Sequence, residues 1–293
     1  MFSKFYPQLD DAQKVSKPYS VIPLELQNYF GSRLEGLYPV GGGTHGIGFF
    51  GNLDGKRKFF KTYNSNAKHS TVARETYLLQ ATAHPSMDVR AILINGDHGL
   101  CQWLVMDFLN QCSGLTPLEV RGLLDQYIKK TNYECSNQPY GDLKSFDDLI
   151  EVGKKALWIL ASENQISREI ENISSARIDS LIKESIHWPK IICHGDFGPA
   201  NIMQFNGLPI AIDWEDAFLG VSGYDYLYWL TFFENRKWLV AESLGWTPFG
   251  RSFEIDILVM IIVIKSAISV LTGQFYSNSI TFNQRINEVL CLE

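Results

Sequence analysis

The sequence predicts an α+β chain of two lobes, a small β-rich one followed by a larger, mainly helical one. Three observations carry this. Up to about residue 108, short apolar runs alternate with turn signals: Asp54-Gly55 lies between runs at 49–53 and 58–63, and Asn95-Gly96-Asp97 between runs at 89–95 and 102–108. An Asp-Gly pair between two such runs marks a hairpin, because glycine accepts the positive φ of a tight turn. Beyond the polar stretch 110–114 the apolar spacing becomes helical, so the lobes are read as residues 1–109 and 110–293. A second hairpin signal, Asn206-Gly207 between 201–205 and 209–212, interrupts the helical part.

Taken in order, a short apolar segment at 37–40 leads into the glycine cluster GGGTHGIG and then the first hairpin. Residues 70–82 read as a helix, capped by Ser70 or Thr71 and burying Val72, Leu78 and Leu79. Helices are predicted at 117–130, 146–162 and 174–186, then a short strand at 191–193. From Tyr224 onward the chain reads as helices rich in aromatic and aliphatic residues. The run at 255–271 is apolar but contains Asp256 and Lys265, and its uninterrupted part, 257–264, is too short to span a bilayer. It is expected to be a helix buried among helices.

Bulk properties narrow the class. With 45% hydrophobic and 20% charged residues the chain is globular, and a net charge of −6 argues against a nucleic-acid partner. The five cysteines form no CxxC pair and are odd in number, which suggests neither a disulfide framework nor a zinc site. Reduced cysteines and an N-terminus, MFSKFYPQLDDAQ, without an apolar run point to a cytoplasmic protein with no membrane partner.

The chemistry gathers around IICHGDFGPANIM, residues 191–203, and Ile212-Asp213-Trp214. Phosphoryl transfer from a magnesium nucleotide needs a carboxylate to orient the acceptor hydroxyl and hard oxygen ligands for Mg²⁺. Asp196 suits the first role, and Asn201 and Asp213 the second, with the Asn-Gly hairpin returning the chain so that Asp213 emerges beside Asn201. Gly41, Gly43 and Gly46 fit G-x-G-x-x-G. Between two strands, such glycines let backbone N–H groups approach phosphates; otherwise they make a surface loop. Lys61 in FFKTY either stays a solvated lysine on an exposed strand face or, as Phe59 two positions away favours, faces a cleft where its ammonium can hold nucleotide phosphates. Glu75, on the predicted helix, can pair with Lys61 or stay a surface glutamate beside Arg74.

H-G-D-x-x-x-x-N followed by I-D-W-E-D resembles the aminoglycoside phosphotransferase/choline kinase family, over roughly residues 37–229. The resemblance implies a protein-kinase-like bilobal fold, with a small antiparallel-sheet N-lobe and a larger helical C-lobe. It implies Asp196 as catalytic aspartate, Asn201 and Asp213 as magnesium ligands, and Lys61–Glu75 as the nucleotide-anchoring pair. It implies a hinge at Met106, Asp107, Phe108 and Leu109 whose backbone receives the adenine. Asp225, in GYDYLYWL, resembles the aspartate that steadies the catalytic loop. His194 is read as a structural histidine of that loop, since no second His or Cys stands at ligand spacing.

The expected activity is ATP-dependent transfer of the γ-phosphate, with Mg²⁺, to a hydroxyl of a small molecule such as an aminoglycoside-like antibiotic or a choline-like amino alcohol; GTP is not excluded. Protein kinases carry Arg before the catalytic Asp and D-F-G at the metal site, whereas this chain has Gly195 and Asp213-Trp214-Glu215. Gly48 stands where their phosphate loop has valine. A protein kinase and a non-catalytic nucleotide-binding protein of the same fold are the alternatives. A dinucleotide oxidoreductase would need the glycines to enter a helix. Glu215 and Asp216 either contact substrate or cap a turn. The aromatic group Tyr224, Tyr226, Tyr228, Trp229, Phe232, Phe233 and Trp238 is read mostly as core, with a minority available to a pocket. An acidic acceptor cleft would favour a polycation, and an aromatic cage choline.

Overall fold

Strand β5, Gly99–Asp107, shows how the N-terminal lobe is organised. Successive side chains of a strand point to opposite faces. Trp103 and Val105 enter one core, with Phe49, Phe60 and helix α1, Ile22–Phe30. Leu104 and Met106 enter the other, with Val72, Leu78 and Leu79 of α2, His69–Thr82. This computed structural model describes residues 22–40, 46–63, 69–96, 99–134, 143–274 and 280–293.

The sheet is antiparallel, in the order β1-β2-β3-β5-β4, with β1 Leu34–Val40, β2 Gly46–Leu53, β3 Lys56–Tyr63 and β4 Val89–Gly96. Asp54 and Gly55 have φ of 52° and 75°, the two positive values of a type I′ turn, which sets the register Leu53↔Lys56 and Gly48↔Lys61. Helix α1 was not anticipated; it closes the core on the face of the sheet away from α2.

The C-terminal lobe is built on α3 Pro117–Glu134, α4 Phe146–Ser162, α5 Arg168–Ser185 and α6 Tyr224–Leu230, with α7 Arg251–Leu271 and α8 Phe282–Leu290. Ser145 and Asp148 form a capping box at the start of α4. Every residue of α7 from Phe253 to Ile264 is buried, Glu254 and Asp256 included. Glu254 accepts from the Thr247 N–H at 2.7 Å and Asp256 pairs with Arg177 at 3.0 Å, so neither carboxylate is left without a partner. α7 is thus the core helix the sequence predicts, and no helix among the described residues is long and apolar enough to cross a membrane.

Two sequence expectations need correction. The helix expected at 174–186 begins at Arg168, because Ser167 accepts a capping bond from the Ile170 N–H and its polar first turns lie on the surface. The chain between α6 and α7 is not continuous helix: it makes 3-10 turns at Phe233–Trp238 and Ala241–Ser243, and Gly245 and Gly250 take positive φ.

Short strands carry the segments between the lobes. β7 Lys190–Cys193 pairs with β10 Phe218–Val221, and β8 Ile202–Phe205 with β9 Leu208–Ala211 through a second type I′ turn at Asn206-Gly207, φ 52° and 80°. β6, Asn110–Gln111, joins the β8–β9 hairpin. The segment leaving the N-terminal sheet is thereby tied beside the loop that follows β7.

Candidate active site

Strand β3 delivers Lys61 and Phe59 to one face of the sheet, where they line a cavity of about 110 Å³ with Gly48, Met106, Ile212 and Asp213. The Lys61 side chain is buried, and its ammonium lies 3.0 Å from Glu75, in contact with Asp213 and 3.6 Å from Glu215. Burial alone would lower the lysine's pKa, but Glu75, Asp213 and Glu215 raise it, so Lys61 stays charged. Three carboxylates then share one ammonium. The Tyr63 hydroxyl meets Glu75 at 3.1 Å and Glu215 at 2.7 Å, and its one hydrogen can serve only one of them. Burial, with Lys61 opposing, pushes the Glu75 carboxyl up to about 7.

The loop after β7 is fixed by its backbone. Asp225, from the first turn of α6, accepts the N–H groups of His194 at 2.8 Å and Gly195 at 3.1 Å. His194 is fully buried, and both ring nitrogens are engaged: Nε2 meets the Ile212 carbonyl at 2.8 Å, and Nδ1 accepts the Asp196 N–H at 3.3 Å. The carbonyl can only accept and the N–H can only donate, so the ring is the neutral Nε2–H tautomer and has no nitrogen left for acid–base work. Gly195 has φ +83°, and a Cβ there would lie 2.2 Å from the Asp216 carbonyl oxygen. No side chain fits at that position.

Asp196 emerges half-buried from this loop and accepts a hydrogen bond from the Tyr228 hydroxyl at 2.5 Å. Asn201 gives its side-chain N–H to the Asp196 carbonyl at 2.8 Å, which leaves Oδ1 as the amide's remaining acceptor. The Ile212 N–H donates to the Asn201 carbonyl at 2.9 Å, so the hairpin sets Asp213 next to Asn201. Asp213 sits in the left-handed region, φ 68°, ψ 54°, which is uncommon for a residue with a side chain. Backbone strain of this kind persists where the surroundings hold it, often at functional sites.

A profile of the phosphotransferase enzyme family matches residues 39–246, more than two-thirds of the chain. The chain belongs to that family. No curated protein sequence matches it. Among solved structures, it is similar to a thermostable mutant of an aminoglycoside phosphotransferase in ternary complex with ADP and hygromycin B. Identity is 14%, the match covers 91% of this chain and 96% of that one, and the TM-score is 0.62. It is also similar to a spectinomycin phosphotransferase with ADP and spectinomycin, at 13% identity, 93% and 98% coverage and TM-score 0.61. Choline kinase from Cryptosporidium parvum follows at 15% identity, 93% and 94% coverage and TM-score 0.50. At such identities the likeness establishes the protein-kinase-like α+β bilobal fold of this phosphotransferase.

The structure brings together Lys61, Glu75 and Asp213, and separately ties Asp196, Asn201, His194 and Asp225 into one loop system. Gly41 and Gly43 lie outside the described residues. Gly46 lines the Lys61 cavity, and a Cβ there would lie 2.6 Å from the lysine Cε. The expected hinge narrows. The Asp107 N–H goes to the Asp88 carbonyl at 3.0 Å and the Phe108 N–H to the Arg57 carbonyl at 3.2 Å, while the Asp107 carboxylate pairs with Lys58 at 2.6 Å. Of the segment 106–109 past the strand, the Leu109 N–H is the one with no hydrogen-bond partner among the described residues.

The structure places both carboxylates expected to contact substrate or cap a turn. Glu215 faces the Lys61 cavity and Tyr63, and Asp216 is buried with its carbonyl against Gly195. The aromatic group splits as well: Tyr224, Tyr226, Tyr228 and Trp229 are core, whereas Phe232 is half-buried and Phe233 exposed. Sequence reasoning missed that Tyr228 touches Asp196. The signal was its spacing, since residues three apart share a helix face and Asp225 already faces the loop.

Proposed function

We propose that the protein transfers the γ-phosphate of ATP to a hydroxyl of a small molecule, with the nucleotide held between a lobe of residues 1–109 and a lobe of residues 110–293. The observation that carries this is that a buried, carboxylate-ringed Lys61 meets the strained Asp213, whose neighbour Ile212 is bonded through its backbone to His194 and Asn201 of the loop that presents Asp196. The family and the ADP-bound structural relatives support the nucleotide; the small molecules bound beside ADP in those relatives, hygromycin B and spectinomycin, support a small acceptor.

Each residue then has a task. Val40, Phe59, Leu104, Met106 and Ile212 give the cavity an apolar lining for a base, and three residues beyond Met106 the Leu109 N–H, unbonded among the described residues, is the donor left for its edge. Lys61, kept charged and fixed by Glu75, binds phosphate oxygens. The Asn201 Oδ1 and the Asp213 carboxylate are hard oxygen donors on segments joined by the Ile212–Asn201 backbone bond, and their chemistry fits Mg²⁺. When bound there, the ion would offset charge on the phosphates. Asp196 orients the acceptor hydroxyl and takes its proton late, since the transition state is loose. Positioning and electrostatics supply most of the rate. The absence of room for any side chain at Gly195 removes the arginine that a phosphorylated activation loop would need, and supports a small-molecule kinase over a protein kinase.

The test is ADP release measured over a panel of antibiotics, amino alcohols, sugars and hydroxy acids. At least one acceptor should stimulate release, and Asp196→Asn should abolish it while Mg–ATP still binds. Turnover retained in that variant would overturn the assignment.

A further inference from the structure

Beside the Asp196 loop lies a second cleft, of about 610 Å³, lined by Thr231, Phe232, Phe233, Lys265 and Arg285. Phe232 packs on the loop itself: a Cβ at Gly198 would lie 2.5 Å from its ring. Two cations converge on Thr231. Lys265 donates to its hydroxyl at 2.8 Å, and Arg285 to its carbonyl at 2.6 Å. Lys265 is one tyrosine away from the reacting centre, 4.1 Å from the Tyr228 ring whose hydroxyl holds Asp196. Arg285 is only 8% exposed, and its Nη1 has no hydrogen-bond partner among the described residues. Burial lowers the Arg285 pKa, with Arg236 acting the same way and Glu288 opposing. Glu288 is itself paired with Arg236, and Glu234 stands exposed at the rim.

A buried guanidinium with a spare donor next to a lysine asks for an anion. The same arrangement argues against the two acceptor types that this fold brings to mind. A polycation would meet like charge. A quaternary ammonium needs free aromatic faces, but Lys265 already sits 3.4 Å from the Phe232 centroid and Arg285 4.5 Å from that of Phe233.

We propose that Arg285 and Lys265 form a subsite for an anionic group on the acceptor, a carboxylate or a phosphate, while the acceptor's hydroxyl reaches Asp196. The acceptor is then a small hydroxy acid or a sugar or polyol phosphate. This rests on the kinase reading above. In the transfer, the acceptor oxygen bonds to the γ-phosphorus and the bond from that phosphorus to the β,γ-bridging oxygen breaks. The hydroxyl proton passes to Asp196, and ADP leaves with the bridging oxygen's electron pair.

Matched acceptors test it by ADP release: carnitine against choline, serine against ethanolamine, glycerate and glycerol 3-phosphate against glycerol, with kanamycin as the polycation. The anionic member of a pair should be used, the glycerate and glycerol 3-phosphate arms telling carboxylate from phosphate. Arg285→Gln and Lys265→Gln should each raise its KM tenfold or more, and Arg285→Lys should recover part of the loss. A second arm needs no turnover. With Mg–AMP-PNP saturating the nucleotide cavity, millimolar malate or inorganic phosphate should raise the Tm of the wild type above that in chloride of equal ionic strength. Either glutamine variant should lose the rise. Use of the cationic or neutral partner instead, or an anion-induced rise that is absent or equal in wild type and both variants, overturns the subsite. The kinase reading fails separately, if Mg–ATP itself gives no thermal stabilisation; the anion arm still decides the subsite in that event.

Discussion

Tyr228 donates to the carboxylate assigned as the catalytic one, and its phenol is buried on a helix anchored by Asp225. A hydrogen bond to a charged group is worth about 1.5–3 kcal/mol. Tyr228→Phe is therefore expected to lower kcat by about tenfold or more. A kcat equal to the wild type's in steady-state assays would mean that the bond has no part in turnover. Glu75 offers a different test. Its carboxyl is raised by burial from 4.5 to about 7, so its protonated form is favoured by folding. That contribution is whole below about 4.5 and is lost as pH rises through about 7. Urea unfolding should show stability declining across that window in the wild type and a flatter course in Glu75→Gln.

Loops and strands set what those residues can do, and glycine positions expose the constraint. Gly195→Ala places a Cβ against the Asp216 carbonyl and forces an alanine to φ +83°, so a loss of roughly 3 kcal/mol or more is expected in urea unfolding, together with activity. At Gly48 the neighbour is a side chain: a Cβ would meet the Phe59 ring at 3.1 Å. The two positions face one cavity, and the bulk that protein kinases place at the first stands here at the second. Gly48→Val should weaken nucleotide binding about tenfold, and Phe59→Ala should restore it in that background. The coupling in the double-mutant cycle should exceed about 1 kcal/mol; additive effects would show that the ring does not fill the valine's place. These elements differ in how far the sequence announces them. Asp54-Gly55 and Asn206-Gly207 name their hairpins because their φ values demand such residues. Lys61–Glu75 follows from local pattern plus fold. Tyr228 follows from its helical spacing once Asp225 is placed on the loop, whereas helix α1 and the Lys265–Arg285 pair depend on tertiary packing between separate segments. No local period encodes such contacts.

The two lobes meet through charge. Lys61 and Tyr63 of β3 reach Asp213 and Glu215, and Arg74 of α2 donates to the Glu215 carbonyl at 2.6 Å. The Lys61 cavity is walled by both lobes at this seam. A ligand bound there stabilises the folded molecule by about 2.7 kcal/mol when its concentration is a hundred times Kd. Asp213 is central to the seam, because the carboxylate that pairs with Lys61 is also a proposed magnesium ligand. Removing it frees Lys61 for phosphate, with Glu75 still 3.0 Å away to hold the ammonium, but deletes a metal ligand. Asp213→Ala should therefore separate the two functions. Thermal stabilisation by ATP with EDTA should persist, while the additional stabilisation produced by adding Mg²⁺, expected to be several degrees in the wild type, should disappear. An equal Mg²⁺ effect in both proteins would place the metal on other residues and leave Asp213 as a structural partner of Lys61.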